Sequence, residues 1–257
     1  MLYPVRTDFE LSKCRIYFIF PKNSIMRIIT TGIFIFLFVN CFSQQSSTKD
    51  IHKIKNEVDM DSVVYATARA NADYQVMMTS LYYLMAKNPK RIIAYKDSLT
   101  RIYYLTGAYG KCIKTGNEVL SQQQENYEII ELVAISERIL GNIKNALTLY
   151  EKLYHQTSSL IHAYYIAEMQ FYMQRYGECM TTLDKIIASE NSKKEKMELI
   201  VTDSTKQIVS LTAAAFNIKG MTYNALGKYE EAKEAFKNAL LIDKDFILPK
   251  ANLDKVK

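Results

Sequence analysis

The stretch A-F-N-I-K-G-M-T-Y-N-A-L-G-K-Y-E-E-A-K-E-A-F-K-N-A-L, residues 215–240, constrains the fold of this chain more than any other. It reads as two short helices joined by a turn at Gly227. Phe216, Gly220 and Tyr223 belong to the first helix; Tyr229, Ala232, Phe236 and Ala239 belong to the second. Small residues stand where the helices touch, and aromatic residues stand where they lock together. Gly220 is expected on a close-packed helix face, because no side chain holds the neighbouring helix away.

Degraded copies of the corner recur upstream. Gly107-Ala108-Tyr109 and Gly141-Asn142-Ile143 lie 34 residues apart; Gln174-Arg175-Tyr176 follows 33 residues later, and Ala72-Asp73-Tyr74 precedes by 35. The position of Ala232 becomes Met77, Cys112, Ala146 and Cys179, and that of Phe236 becomes Leu81, Gly116, Tyr150 and Leu183. This pattern resembles the tetratricopeptide repeat, a helix–turn–helix unit of about 34 residues. The resemblance gives five units near 58–91, 93–126, 127–159, 160–190 and 213–246. Pro89 matches the family's closing proline, whereas Lys244 stands there in the last unit. The resemblance implies an all-α, right-handed superhelix in which each unit buries its apolar face on its neighbours and the stack offers a groove. Residues 247–257 are expected to cap it.

Periodicity supports helices independently. Ile130, Val133 and Ala134 recur at three-four spacing before Gly141, and Ala146, Tyr150 and Leu153 after it, with Glu137 departing from the first stripe. Residues 191–212 interrupt the repeat: Tyr176 to Tyr229 is 53 residues, about 19 more than one unit. There Ile200-Val201 and Ile208-Val209 flank a polar Asp203-Ser204-Thr205, which suits a small β-hairpin near 197–211 or a longer helical linker.

The N-terminus reads as an address. Met26-Arg27 precedes the apolar run Ile28–Val39, and Cys41 and Ser43 supply small residues before polar Gln44. Residues 26–43 are expected to be a secretory signal cleaved before Gln44, with 1–25 an upstream extension and 44–57 a linker. The run is short for a membrane span. An uncleaved anchor is the alternative, and lipidation at Cys41 is another, although Phe38 and Asn40 depart from the lipobox pattern.

From Gln44 onward there are 28 Lys and Arg against 25 Asp and Glu, a net +3 where the whole chain carries +6. Half of the basicity lies in the addressing segment, and no basic cluster argues for nucleic acid. Cys112 and Cys179 occupy helix-contact positions two repeats apart, beyond disulfide reach, and read as small buried residues. His52, His155 and His162 lack metal-ligand spacing. With no phosphate loop or nucleophile elbow, the expectation is a non-catalytic chain with no cofactor or metal.

In the family this chain resembles, the first helix of each unit lines the concave face. Carried over, that stripe holds Ser62, Ala66 and Arg69; then Asp97, Arg101 and Tyr104; Glu131, Ile135 and Arg138; Tyr164, Glu168 and Phe171; and Asn217, Met221 and Asn224. Arg69, Arg101, Tyr104, Arg138, Tyr164, Phe171, Asn217 and Asn224 are the candidate contacts to a protein or peptide partner. Successive arginines favour carboxylates on that partner, while Asp97, Glu131 and Glu168 argue against a purely acidic one. The family's Lys-Asn-Arg clamp for a terminal carboxylate finds no match. The expected role is an exported scaffold in the periplasm or cell envelope, soluble or held at a membrane.

Overall fold

In the computed structural model, five chain reversals share one backbone conformation. Ala72, Gly107, Gly141, Gln174 and Gly227 adopt φ of 53°, 71°, 77°, 59° and 73°, the left-handed region. At each, the next residue's N–H reaches the carbonyl five back: Asp73 to Ala68, Ala108 to Tyr103, Asn142 to Glu137, Arg175 to Gln170 and Lys228 to Tyr223, all at 2.8–2.9 Å. The left-handed residue's own N–H reaches the carbonyl three back. This is the Schellman arrangement, which satisfies the last carbonyls of a helix and turns the chain sharply. Glycine suits it best, since it has no Cβ penalty there.

The structure describes residues 59–202 and 205–256. The expected extension, signal and most of the linker, with Cys41 and His52, lie outside them. From Met60 the chain forms helix pairs: α1 (Met60–Ala70) and α2 (Tyr74–Lys87); α3 (Ile92–Leu105) and α4 (Tyr109–Leu120); α5 (Tyr127–Ile139) and α6 (Ile143–Thr157); α7 (Leu160–Tyr172) and α8 (Tyr176–Ala188). A 3₁₀ turn at Pro89–Arg91 opens α3, with Pro89 at its first position, where a missing N–H costs nothing. A short α9 (Glu190–Lys194) leads into the antiparallel strands β1 (Lys196–Thr202) and β2 (Thr205–Ser210). Then come α10 (Leu211–Ala225), α11 (Tyr229–Ile242) and α12 (Ile247–Leu253). The last pair starts at Leu211, two residues before the repeat as read from the sequence.

Among the described residues the architecture is an α-solenoid with a two-stranded sheet. Each helix packs on the next, and first helices also meet first helices: α3 on α5, and α7 on α10. Helix α10 packs on α8 as well, so the stack runs straight past the hairpin, which is a side branch. Met77, Cys112, Ala146, Cys179 and Ala232 are all buried, as are Leu81, Gly116, Tyr150, Leu183 and Phe236. Both cysteines are free thiols, and burial pushes each thiol's pKa up. Glu137, the departure from its stripe, is buried, and its carboxylate accepts from Asn142 Nδ2 at 2.6 Å and Asn145 Nδ2 at 3.2 Å.

The hairpin buries Met197 and Val209 against the core shared by α7, α8, α10 and α11. Side chains alternate along a strand, so Ile200 and Ile208 fall on the opposite face and are 70% and 68% exposed. Gln207 fixes it to the α11–α12 connection: its Nε2 donates to the Asp245 carbonyl at 2.7 Å, and its Oε1 accepts from the Ile247 amide at 3.0 Å. Register breaks between Ile200 and Thr202, leaving Val201 as a bulge.

Candidate binding groove

The five left-handed corners fix where the first helices end, and so which side chains face the concave side. The carbonyl that accepts each corner's N–H belongs to Arg69, Tyr104, Arg138, Phe171 and Asn224. Those residues therefore occupy one equivalent place in the last turn of α1, α3, α5, α7 and α10.

Three of them converge. A cavity of about 630 Å³ takes Tyr104 from α3, Ile135 and Arg138 from α5, and Tyr164, Glu168 and Phe171 from α7. Asn217 and Met221 of α10 and Asn252 of α12 continue its wall, and Glu198, Leu199, Ile200 and Lys206 of the hairpin close one side. Lys206 pairs with Glu198 at 2.7 Å, and this bond raises its pKa.

Arg138 is the cation of the inner wall. Its Nη1 lies 3.4 Å from Glu168 Oε2, and its guanidinium sits 4.9 Å from the Tyr165 ring centroid, within cation–π range. Tyr165 in turn stacks on Tyr150 at 4.9 Å. Burial raises the Glu168 carboxyl pKa, with Arg138 opposing. The Arg138 Nε group and the Tyr150 hydroxyl are buried with no hydrogen-bond partner among the described residues. Burial likewise lifts the hydroxyls of Tyr104, Tyr164 and Tyr165.

The remaining candidates stand elsewhere. Arg69 is exposed on α1 and Asn224 on α10, both away from the cavity. Arg101 is held by Asp97 at 2.8 Å and by Glu128 at 2.7 Å, and it lines no part of the cavity. Tyr164 and Asn217 border the cavity but are each only 3% exposed; Asn217 Oδ1 accepts from Asn252 Nδ2 at 3.0 Å. Tyr165, Tyr172 and Asn252 line the cavity and were missed from the sequence. For the first two the signal was the doubled aromatics Tyr164-Tyr165 and Phe171-Tyr172; the stripe took only one of each. The hairpin's part had no such signal beyond the break in repeat period.

His162 is buried between Thr157, whose hydroxyl lies 2.9 Å from Nδ1, and Glu131, 3.7 Å from Nε2. The nearby imidazole lowers the Glu131 carboxyl pKa against the effect of burial. Among the described residues no group of three or more His, Cys, Asp or Glu is placed to hold a metal, and no helix is long and apolar enough to cross a membrane.

A family model described as "Tetratricopeptide repeat" matches residues 213–246. No curated protein matches the chain. Solved structures match in fold. YrrB, described as "a TPR protein with an unusual peptide-binding site", has a TM-score of 0.61 at 13% identity, over 82% of this chain and 98% of that one. MamA has a TM-score of 0.56 at 12% identity, over 72% and 91%. A MamA from Desulfovibrio magneticus RS-1 has a TM-score of 0.50 at 15% identity, over 63% and 81%. At these identities the likeness is one of fold.

Proposed function

We propose that this tetratricopeptide-repeat protein is a non-catalytic scaffold that holds a segment of a partner protein in its concave groove, exported to the bacterial cell envelope. The observation that carries the binding role is the convergence of Tyr104, Arg138 and Phe171, equivalent residues of three successive units, on one cavity with aromatic walls. Its size is that of a ligand pocket, and aromatic and arginine side chains are the usual anchors of protein contacts. The likeness to YrrB, whose description names a peptide-binding site, supports a peptide-like occupant.

Export rests on the signal-like sequence 26–43. A photo-crosslinker placed at Tyr172, exposed and lining the cavity, should capture a discrete partner in cells, while one at Lys237, exposed on α11, should not. The reverse result would move the binding site to another face. The mass of the purified N-terminus tests the location: a start at Gln44 means a released chain. A diacylated Cys41 or an intact Ile28–Val39 means the membrane-held form, a component of envelope assembly or signalling.

A further inference from the structure

The hairpin meets the cavity edge-on. Glu198, Leu199 and Ile200 are consecutive, and all three line it, although successive side chains of a strand point to opposite faces. Leu199 packs toward the core while Ile200 is largely exposed on the other face. Of β2, Lys206 alone reaches the cavity among the described residues. The cavity therefore borders the outer edge of β1. β2 is held on its other side: the Ser210 amide donates to Asp243 Oδ2 at 2.6 Å, and the Gln207 side chain bonds the Asp245 carbonyl and the Ile247 amide. Among the described residues, no backbone hydrogen bond joins Met197–Val201 to anything but β2. Half of an edge strand's N–H and C=O groups point outward and are open to another strand.

We propose that the partner segment adds to β1 as a third strand, with its other flank against the aromatic wall of the groove. This rests on the groove being the binding site, and it specifies how the groove holds its occupant. The occupant is an extended, uncharged segment with aliphatic or aromatic side chains at alternate positions. Charge complementarity carries that choice. The lining cations, Arg138 and Lys206, already face the lining carboxylates, Glu168 and Glu198, at 3.4 and 2.7 Å. A charge brought in by the partner would meet no uncompensated opposite charge and would lose its water. Main-chain bonds to β1 supply affinity without a sequence code, and alternate side chains enter the pocket. The bulge at Val201 ends the regular ladder, so the run in register is Lys196–Ile200, roughly 17 Å at about 3.3 Å per residue.

The test pans the immobilised full chain against a phage-displayed library of random dodecapeptides and remakes the binders as synthetic peptides. Groove binding is scored by comparing the wild type with Tyr172→Ala, whose retained fold is checked by circular dichroism. Each peptide is then N-methylated one residue at a time. Strand addition predicts losses of about tenfold or more at alternate residues, with little change between them, because only every second N–H faces β1. It also predicts slowed amide exchange within Met197–Ile200 on binding, and peptides of near-zero net charge. Binders that need Tyr172 but show no alternation and no β1 protection overturn strand addition and leave the groove reading standing. Binders of uniformly acidic or basic sequence overturn the stated chemistry. No binders, or binders indifferent to Tyr172→Ala, overturn both.

Discussion

A Cβ built on Gly220 would lie 2.5 Å from Cε1 of Phe236. The two helices of the last repeat touch there, ring against backbone. The second repeat exchanges the sizes: Thr100 stands seven residues before its corner, as Gly220 does, and Gly116 stands in the place of Phe236. A Cβ on Gly116 would lie 2.4 Å from Cγ2 of Val133 and 3.3 Å from Cγ2 of Thr100. Gly220→Leu overpacks this contact and should cost about 1–3 kcal/mol. Gly220→Ala should also destabilise, and Phe236→Leu should recover part of that loss. Thermal melts of the double-mutant cycle decide it; strictly additive losses would mean the two residues do not share the contact.

The corners make a backbone prediction free of packing. Beyond its chain neighbours, a Cβ placed on Gly107, Gly141 or Gly227 meets nothing within 4 Å, so substitution there reports chiefly the left-handed φ. Gly141→Ala should cost about 1–2 kcal/mol. Gln174, exposed at φ 59°, already bears that penalty, and Gln174→Gly should raise the melting temperature, less what the freer unfolded chain takes back. A lower melting temperature for Gln174→Gly would show that its side chain contributes more than its backbone costs.

Glu168 gives the pH dependence. Its folded pKa lies above its unfolded value, chiefly through burial, so the native state binds the proton more tightly. Stability should then fall as pH rises from the ordinary carboxylate range through the raised value, and level off above it. Glu168→Gln should flatten that slope and be no less stable than the wild type at neutral pH. A neutral-pH loss of about 3 kcal/mol or more would instead mark the Arg138–Glu168 pair as a net stabiliser whose breaking strands a charge.

The arginines separate binding from folding. Arg101→Ala should leave partner capture unchanged and cost less than about 1 kcal/mol of stability, since its bonds to Asp97 and Glu128 are partly exposed ion pairs. Tyr104→Ala should lower both, because the ring lines the cavity and also packs on the core of the first two repeats. Tyr172→Ala should weaken binding with little change in melting temperature, as its side chain is 57% exposed. Equal effects of Arg101→Ala and Tyr172→Ala on capture would contradict this division.

Much of the fold was written in local residues. A left-handed corner demands glycine or tolerates a few others, so Gly107, Gly141 and Gly227 were visible, and Ala72 and Gln174 could be placed by counting from them. The helix-contact positions followed at fixed offsets. The groove was less legible because facing it depends on partners far along the chain. Arg101 and Arg138 look alike in sequence, yet Asp97 and Glu128 hold one outside the cavity while Glu168 and Tyr165 hold the other inside. The contribution of β1 depended on α10 docking on α8 across the insert, a relation no local pattern encodes.

Gln207 clasps the hairpin to the start of α12 through backbone atoms on both sides of Phe246, itself fully buried. These two bonds tie the insert to the C-terminal cap across 38 to 40 residues of chain. Fraying of the last helix should therefore loosen β2, and pinning β2 should quiet the last helix. In a stack whose members otherwise touch only near neighbours, this gives the C-terminal end a latch that the N-terminal pairs have no equivalent of among the described residues.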